Sequence, residues 1–236
     1  MESPITRIFT GSLRSILRKP GHKDSITLEP YRPLQLDIQD RHIRSVTDAL
    51  RHITVNETLN ADFDGSGRPM TRTTYIEKLP PILILHLKRF VFDGSHGTRK
   101  VWKRIAYPVV LDVPLDVLSP GQRAESQSRR FHLFGGTDSS FCYRQALTLV
   151  VIYHHGTSAT GGHYTADVLL QDGRTWLNLD DTKLKWVNPD DVGVPDKDPG
   201  HWEDADQHNL QVNGDEGWNN IKSKVAYILL YKRVHS

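Results

Sequence analysis

Cysteine is nearly absent from this sequence: among 236 residues there is only Cys142. A lone cysteine excludes an intrachain disulfide framework, which favours a reducing, intracellular environment. Neither a CxxC nor an HExxH pattern occurs, so the 12 histidines match no standard metal-binding motif. We therefore expect no bound metal and no cofactor.

Long apolar runs and an excess of charge of one sign are also absent. The longest apolar run, residues 80–87, is much shorter than the roughly 20 residues that a membrane-spanning helix needs, and no basic start leads into an apolar signal segment. A net charge of +2 does not indicate a nucleic-acid binder. We expect contact with neither membrane nor nucleic acid. With 37% apolar and 25% charged residues, the composition is typical of a globular chain.

Apolar spacing predicts many strands and few helices. One helix is predicted from positions three or four residues apart, with a cap near Asp40: Ile43, Val46, Leu50 and Ile53. Strands are predicted at 8–17, 25–38, 80–92, 102–113, 147–153, 164–170, 175–179 and 225–233. The polar stretch 119–130 is predicted to be a loop, and the acidic stretch 188–217 a flexible insert.

A histidine and an aspartate occupy matching ends of a predicted hairpin. His163 follows two glycines at a strand start, and Asp180 ends the partner strand beyond the turn 171–173. Because a hairpin brings such positions together, we expect a hydrogen bond between them. A general-base histidine needs a second group that fixes its tautomer. The pair is thus a candidate catalytic base with its orienting carboxylate; the alternative is a structural contact at a sheet edge.

Four motifs, in their order along the chain, resemble those of the ubiquitin-specific proteases, the ubiquitin carboxyl-terminal hydrolase family. LPPILILHLKRF (79–90) is similar to the family's central strand, and YHHGTSATGGHYTADV (153–168) to its histidine box. WLNLDD (176–181) is similar to its aspartate box, and AYILLYKR (226–233) to its closing strand. The resemblance covers about residues 6–118, 131–134 and 150–235.

The resemblance implies an α+β fold of the papain-like cysteine protease superfamily, with a mostly antiparallel palm and fingers. The implied activity is deubiquitination, the thiol-dependent hydrolysis of the bond after ubiquitin's C-terminal glycine, and the implied partners are ubiquitin and ubiquitinated proteins. By the same resemblance, His163 is the general base and Asp180 its orienting residue. Gly162 and Tyr164 are implied to flank the groove that holds the narrow ubiquitin tail.

Three further positions near the histidine box keep two interpretations each. Asp181 is either a second acidic residue that some family members use or a solvated neighbour, and we favour the second. His154 or His155 either lines the groove or belongs to a turn.

The resemblance has gaps. The family's nucleophile lies in an N-terminal cysteine box at a helix start, and neither this box nor the thumb that carries it is present in the sequence. We therefore interpret residues 1–236 as a partial catalytic domain, inactive in isolation, with inserts at 119–149 and 188–217. Cys142 lies within 135–149, a segment that we interpret as a loop or translated intron sequence rather than a relocated active site. One cysteine also cannot form the zinc site found in the fingers of many family members.

Three functional hypotheses remain at the level of sequence. The first is a deubiquitinase to which this chain supplies the histidine and aspartate of the triad. The second is a catalytically dead ubiquitin-binding module that lacks the nucleophile. The third is a chain that folds poorly alone because its apolar palm face is left uncovered. We expect a cytoplasmic location, with the nucleus as the alternative.

Overall fold

The structure, a computed structural model, describes residues 3–59, 69–94, 97–124, 130–132, 149–159, 161–192 and 225–233. The α-helices within these ranges are α1 (Pro4–Phe9), α2 (Val46–His52) and α3 (Pro120–Ala124). The strands are β1 (Gly11–Arg18), β2 (Ser25–Tyr31), β3 (Pro33–Leu36), β4 (Glu57–Leu59), β5 (Met70–Lys78), β6 (Ile82–Leu87), β7 (Phe90–Asp93), β8 (Gly97–Lys100), β9 (Val110–Asp112), β10 (Arg130–His132), β11 (Leu149–His155), β12 (His163–Leu169), β13 (Trp176–Asp180), β14 (Lys183–Val187) and β15 (Val225–Arg233). None of these helices is long and apolar enough to span a membrane.

The larger sheet has nine strands. Its main path runs β14-β13-β12-β11-β15-β10-β9, and β6 joins through β15 and carries β3 as a parallel neighbour. The sequence places its most apolar strands at the centre, where β15 pairs with β11 and with β6. Leu85 of β6 and Leu229 of β15 face each other in this register and are fully buried. Each such side chain contributes about 1.5–3 kcal/mol by its removal from water.

The smaller main sheet has four antiparallel strands in the order β2-β1-β5-β4. Arg14 of β1 donates two hydrogen bonds to Glu77 of β5, from Nε at 2.7 Å and from Nη2 at 2.8 Å. This two-point contact fixes the relative position of the two central strands. A separate two-stranded hairpin is formed by β7 and β8.

The Arg14–Glu77 pair makes the stability of this sheet depend on pH. Hydrogen bonding to Arg14 lowers the pKa of the Glu77 carboxyl from 4.5 to about 2. A depressed carboxyl pKa stabilises the fold above the unfolded value, and this contribution is lost as the pH falls from 4.5 towards 2. We expect Glu77→Gln to lower the free energy of unfolding at neutral pH by about 1 kcal/mol, with the difference shrinking over that acidic range. Urea unfolding at several pH values measures it.

The exposed carboxylate of Glu29 on β2 offers a matched control. Glu29→Gln removes a carboxylate from the same sheet without touching this ion pair, so we expect little change. A Glu77→Gln penalty that stayed constant down to pH 2 would contradict the ionic explanation.

Helix α2 begins later than the sequence pattern predicted. Its cap is Ser45, whose Oγ accepts from Asp48 N at 3.1 Å while Asp48 Oδ2 accepts from Ser45 N at 2.9 Å. This reciprocal capping box satisfies two amides at the helix start. The predicted cap, Asp40, instead accepts from His42 N in the preceding turn. Val46 and Leu50 are fully buried, which confirms the predicted apolar face.

The strands predicted at 8–17 and 102–113 begin later than expected. Residues 4–9 form α1, with Pro4 in the first turn and Ser3 accepting from Thr6 N as its cap, so the strand begins only at Gly11. Within 102–113, only Val110–Asp112 is a strand. The buried Arg89 explains the irregular start, because its Nη1 donates to the carbonyls of Val101 and Lys103, at 3.0 Å and 2.7 Å. Both carbonyls converge on one nitrogen, so their oxygens lie closer together than the roughly 6.6 Å that separates residues i and i+2 of a strand, and the backbone here is not extended.

The two predicted inserts begin with ordered structure. Residues 120–124 form α3 instead of the predicted loop. The second insert opens with a 3-10 turn, Pro189–Asp191, followed by the fully buried Val192. The remaining residues of both inserts lie outside the described ranges, apart from 119, 130–132, 149 and 188. The boundaries 119–149 and 188–217 therefore stay predictions.

Candidate active site

The hairpin of β12 and β13 forms as predicted and brings the candidate pair together. The register pairs Ala166 with Leu179 and Leu169 with Trp176. In the connecting turn, Asp172 Oδ1 accepts from Thr175 N at 2.9 Å. At the far end of the hairpin, His163 Nε2 lies 2.5 Å from Asp180 Oδ1. The expected hydrogen bond is therefore present.

Electrostatics assigns the proton in this bond. Hydrogen bonding to His163 lowers the pKa of the Asp180 carboxyl below its usual 3.8, so the carboxylate is ionised at neutral pH. An ionised carboxylate only accepts hydrogen bonds, which requires His163 Nε2 to carry the hydrogen. A neutral His163 then has its lone pair on Nδ1, the nitrogen that is able to take a proton from a reacting group.

Gly162 packs tightly against the strand that precedes the site. A Cβ built on Gly162 would lie 2.4 Å from His155 O and 2.5 Å from His154 Nε2, distances that real side chains do not reach. The backbone just before His163 therefore rests directly on the end of β11. Tyr164, on the other side of His163, is 50% exposed, and its ring centroid lies 4.8 Å from that of His154.

We expect Gly162→Ala to displace the candidate base. Relief of the clash must move the His163 backbone or the end of β11, and such overpacking costs about 1–3 kcal/mol of stability. A shift of about 1 Å at a reacting group lowers rates by roughly 10²-fold. Thermal unfolding of the variant chain measures the change in stability, and ubiquitin hydrolysis by the intact gene product with the same substitution measures the change in rate.

Gly161→Ala is the matched control, because nothing lies within 4 Å of a Cβ built on Gly161. It changes the same loop by the same methyl group and should leave both quantities near those of the wild type. Equal behaviour of the two variants would contradict the role given to close packing at Gly162.

His154 and His155 both belong to β11, which excludes the prediction that they lie in a turn. His154 is buried, with its ring 5.1 Å from that of Phe90, and burial lowers the pKa of its imidazole. His155 is buried as well; its Nε2 lies 2.8 Å from Thr165 Oγ1, and its ring lies 5.8 Å from that of His163. His155 therefore lies beside His163 on one face of the sheet, whereas His154 lies with Tyr164 on the opposite face.

Asp181 occupies the tight connection between β13 and β14. It is exposed and has a φ of 50°, a left-handed conformation that aspartate tolerates better than most residues. Ligand atoms of His163, Asp180 and Asp181 all lie within 4.8 Å of one another, a grouping that could hold a metal ion and that the sequence did not predict. A metal on His163 Nε2 would have to displace the bond to Asp180, so the residues present fit a His–Asp pair better.

Two further residues bear on the site: Cys142, which was considered from the sequence alone, and Lys100, for which no role was predicted. Cys142 lies outside the described residues. Lys100, at the end of β8, is buried, and its Nζ donates to the carbonyls of His154 and Gly156, both at 2.8 Å. No sequence signal marks this contact, because a lysine that ends a short strand is usually exposed.

Comparison with known proteins identifies relatives along nearly the whole chain. The sequence profile of the family "Ubiquitin carboxyl-terminal hydrolase" matches residues 1–231. "Probable ubiquitin carboxyl-terminal hydrolase 3" of Schizosaccharomyces pombe is 42% identical over 234 residues, which are 98% of this chain and 40% of that protein. Ubiquitin carboxyl-terminal hydrolase 10 of Rattus norvegicus is 40% identical over 236 residues, which are 99% of this chain and 25% of that protein.

Solved structures agree on the fold. The SAGA Ubp8/Sgf11/Sus1/Sgf73 DUB module bound to ubiquitin aldehyde matches with a TM-score of 0.67 at 20% identity, over 99% of this chain and 43% of that one. This likeness and the mostly antiparallel sheets confirm the predicted papain-like α+β fold.

The chain thus spans less than half the length of the proteins that it matches. Within the family, the stretches LQLDIQ (34–39), DALRHI (48–53), VLSPG (117–121) and YHHGTSATGGHYT (153–165) resemble ubiquitin-specific peptidase ten most. Hydrolase 10 proteins do stand among these relatives, together with hydrolase 3. The profile match over almost every residue decides the assignment: the chain belongs to the ubiquitin carboxyl-terminal hydrolase family.

Proposed function

We propose that the intact gene product is a cysteine-type deubiquitinase and that this chain supplies the base and the orienting carboxylate of its triad. The observation that carries the proposal is the bond of 2.5 Å between His163 Nε2 and Asp180 Oδ1. It holds the ring in the tautomer with Nδ1 as the base, which is the state that a thiol nucleophile requires.

The chemistry follows from these positions. His163 Nδ1 takes the thiol proton, and the thiolate attacks the carbonyl carbon of ubiquitin's terminal glycine. The imidazolium, supported by the Asp180 carboxylate, then gives its proton to the departing amine, which leaves a thioester. His163 next takes a proton from water, whose oxygen attacks the thioester carbonyl. The imidazolium returns that proton to the leaving thiolate as ubiquitin is released, which restores the thiol.

The substrate groove proposed from the family resemblance passes beside Gly162 and Tyr164. Gly162 presents no side chain, and its backbone lies close against β11, which suits the slender Gly-Gly tail of ubiquitin. The half-exposed ring of Tyr164 offers an apolar wall with a hydroxyl group. The partners that we propose are accordingly ubiquitin and ubiquitinated proteins.

The nucleophile is proposed to come from outside residues 1–236, which we interpret as a partial catalytic domain. The chain has one cysteine, Cys142, in a segment without the glycine-asparagine context of the family's cysteine box. The isolated chain is therefore proposed to be inactive. A thiol nucleophile suits a reducing compartment, so the cytoplasm, or the nucleus, is the proposed location.

A fluorogenic ubiquitin substrate tests the proposal. We compare the intact gene product with the isolated chain at equal concentration. Turnover by the intact product alone supports a triad completed from outside this chain. Turnover by the isolated chain, lost on Cys142→Ser, would overturn the proposed origin of the nucleophile, and no turnover by either would overturn the enzymatic function.

A non-catalytic ubiquitin-binding module is the second candidate. The chain has a single cysteine, Cys142, and it lacks the context of the family's cysteine box, which is the observation in favour of this candidate. It predicts that ubiquitin is retained in a pull-down while an electrophilic ubiquitin probe leaves the protein unlabelled. The deubiquitinase predicts labelling of a cysteine.

A further inference from the structure

Lys100 is a buried cation at the border of the candidate site. Only 7% of the residue is exposed, and its Nζ is held at 2.8 Å from both His154 O and Gly156 O. The face of the Trp102 ring packs against the same amine, with the ring centroid 3.9 Å from Nζ. An ammonium group thus has two carbonyl acceptors and an aromatic face, an arrangement built for a cation.

Keeping a cation in this place is unfavourable unless its contacts compensate. Burial, and after it the positive charge of Arg89, lowers the pKa of the Lys100 amine to about 7. A methionine of similar length would fill the same space without that cost. The hydrogen bonds to His154 O and Gly156 O are therefore the contacts that lysine makes here and methionine cannot.

Those carbonyls belong to the strand end on which Gly162 rests. Gly156, with a φ of 96°, starts the turn that leaves β11. Gly162 then comes back against His154 and His155, so closely that an added Cβ would lie 2.4 Å from His155 O. His163, the next residue, pairs with His155 in the sheet register.

A short path of contacts therefore connects β8 to the candidate base. Lys100 holds the peptide units 154–155 and 156–157. These flank the unit 155–156, whose carbonyl His155 O lies against Gly162, and Gly162 fixes where the His163 backbone starts. The two ends of the path are 63 residues apart in sequence (100 and 163), and tertiary contact alone joins them.

We propose that Lys100 is a positioning residue for His163: its ammonium group holds the end of β11, and thereby sets the place and orientation of the imidazole. This inference rests on the proposed function, in that His163 acts there as the base. Lys100 itself touches no reacting atom. The competing explanation is a purely structural anchor between β8 and β11 that stabilises the fold and leaves His163 unaffected.

The first readout needs no nucleophile. Nitrogen-15 NMR of the histidine rings in the full chain reports the tautomer of His163 and its Nε2 proton, which the bond to Asp180 shifts downfield. We expect Lys100→Met to broaden or remove this proton signal under conditions where circular dichroism shows folded protein. Lys185→Met, at an exposed lysine on β14 of the nine-stranded sheet that carries His163, is the matched control and should leave the signal unchanged.

The second readout uses the intact gene product. We expect Lys100→Met to lower kcat on a ubiquitin substrate by about 10²-fold, since a displaced catalytic group has that effect, with KM within about twofold because the ubiquitin surface is untouched. Titration of active sites with an electrophilic ubiquitin probe normalises the rates to folded enzyme. A merely structural role reduces the number of active sites but leaves kcat per site unchanged.

Lys100→Gln provides a second variant if Lys100→Met unfolds. The glutamine amide keeps a hydrogen-bond donor, although with a shorter reach than lysine. We therefore expect a weaker change of the His163 signal in the same direction. A His163 signal like that of Lys185→Met in the folded variant would overturn the positioning role, even if the melting temperature fell. Inactivity of the wild type would count against the proposed function alone, since the NMR comparison still decides the role of Lys100.

Discussion

Replacement of His163 by alanine is expected to lower kcat of the intact gene product by roughly 10⁴–10⁶-fold on a ubiquitin substrate. His163 Nδ1 is the proposed acceptor of the thiol proton, because it is the nitrogen that the Asp180 bond leaves in the basic state. Binding of ubiquitin should stay within about twofold, since the imidazole acts on the reacting atoms rather than on the bulk of the substrate.

Initial rates and the equilibrium affinity for ubiquitin measure this prediction together. His22→Ala, at an exposed histidine in the turn between β1 and β2, controls for the loss of an imidazole. A His163→Ala protein that kept even a tenth of the wild-type rate would rule out His163 as the base.

Replacement of Asp180 by asparagine has the second largest expected effect, a fall in kcat of roughly 10²–10⁴-fold. The ionised carboxylate can only accept a hydrogen bond, and so it fixes the hydrogen on His163 Nε2. An asparagine amide has a donor as well as an acceptor, so it also permits the wrong tautomer, and it carries no charge to support the imidazolium. Single-turnover rates measure the chemical step directly.

Asp181→Asn is the natural control, since it makes the same chemical change at the adjacent residue. We expect a much smaller effect, because Asp181 is an exposed residue in the connection to β14 and Asp180 is the one bound to His163. An unchanged rate for Asp180→Asn with a large loss for Asp181→Asn would transfer the orienting role to Asp181.

The sequence was sufficient for the parts of the site that depend on local structure. The β12–β13 hairpin follows from two alternating strands around a Gln-Asp-Gly turn, and its geometry led directly to the His163–Asp180 bond that the structure contains. Similarly, the apolar spacing around Val46 located α2, although the capping box at Ser45, rather than Asp40, sets its start.

Contacts between segments that are far apart in sequence could not be predicted in the same way. Lys100 meets His154 only because the end of β8 packs beside the end of β11, and nothing in either stretch of sequence indicates the other. Strand propensity also predicted too long a strand at 102–113, because the buried Arg89 binds the carbonyls of Val101 and Lys103. By contrast, the start of α1 had a readable signal, a serine cap followed by proline, that apolar alternation from Ile8 obscured.

The most direct test is reaction of the intact gene product with ubiquitin that carries a thiol-reactive group at its C-terminus, followed by mass-spectrometric mapping of the adduct. We expect a single covalent adduct on a cysteine other than Cys142, with labelling strongly slowed by His163→Ala. Ubiquitin binding without any adduct, or an adduct on Cys142, would contradict the proposal that this chain completes a thiol triad with a nucleophile from outside it.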